Sequence, residues 1–233
     1  MRIAWPVQFH TQQAGYIHFW VTLLQGTCST SSNDAIITPC IVRVLGVTLD
    51  RRLTFDYHAS AVARSCNYHA RAIRHIRHLL TLDLAQTLAC SLILSRIDYC
   101  NSVLHGAPSS IIQNLQRVQN NAARIVLQAP PRLDVNSLLQ TLHWLPVEQR
   151  INYKLAVLTF KTQQTSSPQY LSQHISLRTS ARNTRSSSVP LLCVPFRRTS
   201  FARRSFSTAA PLTWNSLLPV VLNCNSLYFQ IQT

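Results

Sequence analysis

Arginines at helical spacing are the residues of this 233-residue chain best placed to do chemistry, and the chemistry is phosphate binding. At about 100° per residue, Arg64 and Arg71 fall with His75 and His78 on one side of a helix, and Arg74 belongs to the same stretch. Arg117 and Arg124 stand seven apart on a second helix, with Gln116 and Asn120 beside them. Arg150, Lys154 and Lys161 lie within about 40° of one another on a third. Farther on, Arg197, Arg198, Arg203 and Arg204 flank Phe196, Phe201 and Phe206, a pattern compatible with stacking of single-stranded bases. Only Lys154 and Lys161 are lysines, so the cationic groups are almost all guanidinium, whose planar fork suits phosphate oxygens. Lys+Arg is 22 against 7 for Asp+Glu, a formal charge of +15, and no acid follows Glu148. Such a balance favours a polyanionic partner. Two plainer readings stay open: solvated helix faces of any basic protein look alike, and an unselected reading frame drifts to similar compositions.

Other chemistries find less support. Cys66, His69, His75 and His78 have helical three-residue spacings, but the first two share the apolar side and the last two the opposite one. Four such groups do not converge on one tetrahedral ion, so no metal and no cofactor is expected. The seven cysteines form no C-x-x-C pair and their number is odd, which points away from a disulfide framework and toward a reducing, intracellular compartment. No G-x-S-x-G, H-E-x-x-H or phosphate-binding glycine loop occurs, and no catalytic residue is assigned. His69 and His143 are read as packing residues. The apolar runs Tyr16–Leu24 and Leu84–Leu94 are too short to cross a membrane, and no secretory signal is recognisable.

The elements that must position these residues are mainly helical. Ile41–Leu49 reads as a strand with Gly46 bulged or closely approached, and residues 50–56 as a turn. A helix from Ala59 carries Val62, Cys66, His69, Ile73, Ile76 and Leu80 at steps of four and three, a packing seam. Thr81 caps a second helix, apolar nearly all round, that runs to about Tyr99 and ends with Arg96 and Asp98 in solvent. After the break at Pro108, with Ser109 or Ser110 as cap, a third helix buries Ile111, Leu115, Val118, Ala122 and Ile125 until the prolines of QAPPR. A short helix over Asn136–Leu142 follows, and Pro146 opens the last long helix, which buries Val147, Ile151, Leu155 and Leu158. The rest is a Ser/Thr-rich linker and a basic aromatic tail anchored by Trp214.

Several of these segments, in this order, resemble one family. LGVTLDRRLTFDYHASAVARSCNYHARAIRHIRHLL, SLILSRIDYCNSVLHG, LQRVQNNAARIV, LHWLPVEQRINYKLAVLTFK and FSTAAPLTWNSLLP are similar to the carboxy-terminal part of non-LTR (LINE-type, L2/CR1-like) retrotransposon reverse transcriptases, over roughly residues 36–218. The resemblance implies a palm-end strand and turn over 41–58 and a thumb-like bundle of four to five helices over 59–162, while composition marks a Ser/Thr-rich linker over 163–188 and a basic, largely irregular tail over 189–233. Residues 1–40 match poorly and are expected to be disordered or replaced. The seven acids, Asp34, Asp50, Asp56, Asp83, Asp98, Asp134 and Glu148, contain no adjacent pair such as the family's palm uses to hold two metal ions. Polymerase activity by these residues alone is therefore not expected. What the resemblance implies is at most sequence-indifferent binding to RNA or an RNA–DNA hybrid. The alternatives are an accessory thumb acting with a reverse transcriptase palm in trans, or a degenerate retroelement frame without selected function.

Overall fold

The structure, a computed structural model, describes residues 41–50, 53–178 and 190–222. The N-terminal segment 1–40 with its apolar run, residues 179–189 of the linker and tail, and 223–233 lie outside the described residues. The described chain is mainly helical with one small sheet, and it divides into two units, 1–152 and 153–233. That division falls ten residues earlier than the expected boundary after 162, inside a helix.

The first unit opens with a hairpin. Strands β1 (Ile41–Val44) and β2 (Val47–Asp50) pair antiparallel, Ile41 opposite Asp50 and Val44 opposite Val47. The single strand expected here is thus two. Leu45 and Gly46 both have positive φ, 46° and 82°, the condition for a two-residue turn whose twist matches the strands. Gly46 is also closely approached, because a Cβ there would meet Tyr99 Cε1 at 3.4 Å while the Tyr99 hydroxyl donates to the Leu45 carbonyl at 2.6 Å.

Asp50 then starts the central helix. Its carboxylate accepts from the Thr54 and Phe55 N–H groups at 3.0 and 2.9 Å and from the Thr54 hydroxyl at 2.9 Å. Helix α1 (Asp56–Ile76) follows and packs mainly against α4 (Ser109–Leu127). Its buried seam, Ala59, Ala63, Cys66, Ala70 and Ile73, keeps the steps of four and three but is rotated from the expected one toward alanines. Small side chains let two helices approach closely, so Val62 and His69 move to the flank and Ile76 is 43% exposed.

Thr81 accepts from the Leu84 N–H and caps α2 (Leu82–Ala89), as expected. A π-turn over Cys90–Leu94 joins it to α3 (Ser95–Asp98), and the extra residue turns both Ile93 and Leu94 inward. This helix is less buried than its composition suggests, since Leu82 and Leu84 are 47% and 55% exposed. Helix α4 starts after Pro108 with no side-chain cap from Ser109 or Ser110, and its whole predicted seam is buried. Gln128, at φ 51°, ends it. Helix α5 (Val135–Thr141) is capped by Asp134, and α6 (Val147–Thr165) contains the division between the units.

The second unit gathers Phe160, Leu192, Trp214 and Leu222 into a small core. Besides its part of α6 it contains α7 (Gln169–Ser172), α8 (Ser200–Arg203), α9 (Phe206–Asn215) and α10 (Pro219–Leu222). Residues 190–199 are irregular, whereas Ser200–Leu222 is more helical than the sequence leads one to expect. The described part of the linker is likewise built in, with Leu171 buried and Leu177 bridged to Leu192. No helix among the described residues is long and apolar enough to cross a membrane.

Candidate nucleic-acid interface

One hydrogen bond joins two of the three predicted basic faces. Arg64, Arg71, Arg74 and His75 are exposed along α1, and His78 is exposed in the 3-10 turn Arg77–Leu79 that follows it. The Arg74 guanidinium donates from Nη2 to Asn121 Oδ1 on α4 at 2.9 Å. Asn121 lies four residues after Arg117 and three before Arg124, so all three share a side of α4. The basic faces of α1 and α4 therefore meet along this bond. Each carries a guanidinium pair seven residues apart, about 10.5 Å along the axis. Arg117 is exposed; Arg124 is half-buried, and its Nε is buried without a hydrogen-bond partner among the described residues.

Neighbouring arginines fix the helices beneath this surface. Arg77 donates from Nε and Nη2 to the Val126 carbonyl at 2.9 and 2.6 Å and from Nη1 to the Leu80 carbonyl at 2.8 Å. It thereby satisfies an open carbonyl at the end of α4 and ties it to the end of α1. Arg96 donates to the Ser65 hydroxyl at 3.1 Å and the Leu92 carbonyl at 2.9 Å. The amides expected beside Arg117 have a different task. Gln116 Oε1 accepts from the Val147 N–H at 2.8 Å, its Nε2 donates to Asn120 Oδ1 at 2.8 Å and Gln119 Oε1 at 3.1 Å, and Gln119 Nε2 donates to the Leu145 carbonyl at 2.8 Å. They hold the start of α6.

The third predicted face is not a solvated stripe. Arg150 Nη1 bonds Asp98 Oδ2 at 2.6 Å and Nε bonds the Leu145 carbonyl at 2.8 Å, so this guanidinium is committed within the first unit. Lys154 and Lys161 are half-buried and belong to the second unit. Arg150 thus does not share a solvated face with Lys154 and Lys161 as the sequence leads one to expect.

In the second unit, Arg197, Arg198 and Arg203 are exposed and Arg204 is half-buried. Phe196 is 84% exposed but Phe206 is 4% exposed, so the two rings do not share a platform; the side chain of Phe201 lies outside the described residues. Trp214 is an anchor, stacked on Phe160 with centroids 6.3 Å apart, its indole N–H donating to the Pro190 carbonyl at 3.2 Å.

The thiol and imidazole groups are dispersed. Cys66 is buried, its Sγ 3.6 Å from the Ile93 carbonyl, and burial pushes its thiol up to about 11 against the pull of Arg96. His69 is half-buried edge-on to Tyr68, its pKa lowered by burial and then by Arg96. His143 is exposed at φ 53°, so Trp144 packs there without it. Among the described residues no group of His, Cys, Asp or Glu is placed to hold a metal ion.

Arg77 and Asn121 make helix-to-helix contacts that the sequence pattern hides. A basic residue in the last turn of a helix is a signal for Arg77, but its acceptor lies forty-nine residues away. Compared with models of known protein families, with curated proteins and with solved structures, the chain has no match.

Proposed function

We propose that this chain is a non-catalytic, thumb-like helical module that binds the backbone of RNA or an RNA–DNA hybrid without reading its sequence. The reading rests on the resemblance to LINE-type reverse transcriptases, and on one observation above all: the Arg74–Asn121 bond that sets the guanidinium rows of α1 and α4 side by side. Phosphate contacts from such rows orient a duplex and carry no base information. Three of the seven acids support the same reading, because Asp50 and Asp134 serve helix starts and Asp98 pairs with Arg150.

The test is fluorescence anisotropy of a labelled RNA–DNA hybrid over a range of salt concentrations. Binding should weaken log-linearly with salt, and Arg71→Gln and Arg117→Gln should each lower the slope by about one. Folded protein that gives no signal at low salt overturns the proposal.

The hairpin favours a second reading, action with a separate polymerase palm. Ile41 and Val42 on β1 and Leu45 in the turn are each more than 40% exposed, an apolar edge suited to another protein surface. Primer extension by a palm-containing polymerase should then rise when this chain is added; unchanged extension overturns that reading.

A further inference from the structure

We propose that Phe196, with Arg197, Arg198 and Arg203, forms a stacking site for an unpaired base of single-stranded nucleic acid. Phe160, Phe206 and Trp214 of the same unit are buried, whereas Phe196 presents 84% of its surface to solvent. Phe196 is the most exposed large apolar residue among the described residues, and it stands next to Arg197 and Arg198 in sequence.

The segment bearing it is fastened at both ends. Upstream, the Leu192 N–H donates to Asn215 Oδ1 and its carbonyl accepts from Asn215 Nδ2, both at 2.9 Å, while the Cys193 N–H donates to the Ser176 carbonyl at 2.9 Å. Downstream, Arg203 Nε donates to the Arg197 carbonyl and Arg197 Nη2 to the Ser207 hydroxyl, both at 3.4 Å. The exposed ring thus belongs to a held loop in which Arg197 and Arg198 follow it directly, and no acid occurs in this unit to oppose an anion.

Charge and shape together select the occupant. The guanidiniums attract phosphate, and the bare ring offers a π-face with no hydrogen-bonding group, so it accepts any base. A duplex keeps its bases stacked on one another; a single strand has a face to give. This site does not depend on the α1–α4 surface, so either can fail without the other.

The experiment compares the full chain on a labelled oligouridylate of about twelve nucleotides and on an abasic strand of equal length and charge. Wild type should prefer the base-bearing strand by about tenfold. Phe196→Ala should abolish that preference while leaving affinity for the abasic strand unchanged, and Phe196→Trp should retain it. Arg71→Gln, which tests the hybrid-binding surface, should leave the preference intact. Equal affinity of wild type for both strands, or a preference that survives in Phe196→Ala, overturns the proposal.

Discussion

Asp98 and Arg150 are fifty-two residues apart in sequence and 2.6 Å apart in space. Their side chains are 22% and 11% exposed, and the pair joins the end of α3 to the first turn of α6. Arg150 adds a bond to the Leu145 carbonyl, which Gln119 also holds, so one polar network fixes the turn that precedes α6.

Breaking this network from one side should be costly. Arg150→Met leaves the Asp98 carboxylate half-buried without its cation and is expected to lower unfolding free energy by about 2–4 kcal/mol. Asp98→Asn keeps an acceptor and should cost about 1–2 kcal/mol. Urea unfolding of both variants measures the difference; equal losses would mean that the carboxylate charge is immaterial.

His58 makes the first unit sensitive to acid. It is 5% exposed, its Nδ1 lies 3.5 Å from the Thr48 N–H, and burial, then Arg43, holds its pKa below the ordinary 6.5. As pH falls the unfolded chain therefore binds the proton first. The contribution to stability is complete above about 6.5 and is lost as pH drops toward the lowered folded value, by at most about 1.4 kcal/mol per pH unit. His69 shifts in the same direction. His58→Leu should accordingly reduce, but not remove, the fall of the urea midpoint between about pH 6.5 and 5. An unchanged fall would exclude His58 as its source.

Leu45 occupies a backbone conformation that suits a smaller polar residue. At φ 46° it precedes Gly46 in the β1–β2 turn, where asparagine followed by glycine is strongly preferred. The residue is 47% exposed, and the hydrogen bond from Tyr99 goes to its backbone carbonyl. Leu45→Asn is expected to raise stability by about 0.5–1 kcal/mol, read from the thermal midpoint. A lowered midpoint would mean that the leucine side chain contributes packing that outweighs the turn.

What was legible in the sequence followed periodicity and caps. The seam of α4, the cap at Thr81 and the anchoring role of Trp214 depend on spacing or on one residue's chemistry, and all are present. The rotation of the α1 seam was hidden because alanine is ambivalent in a pattern: only the neighbouring helix decides that Ala63 and Ala70 face inward. The hairpin was hidden because Leu45 is not a usual turn residue. Among the candidate site residues, Arg71 and Arg117 stand where the helical wheel puts them. Arg150 could not be separated from them, since its partner Asp98 sits on another helix and the wheel contains no information about that distance.

Apart from the downstream guanidinium bonds of Arg197 and Arg203, the Phe196 loop and its core are held by uncharged groups: the Phe160–Trp214 stack, the indole bond to Pro190 and the two-point amide pairing of Asn215 with Leu192. Neither added electrolyte nor mild acid acts strongly on contacts of this kind. Ionic strength is therefore a selective reagent here, able to strip an anionic ligand from the Phe196 loop while leaving the loop's uncharged supports in place.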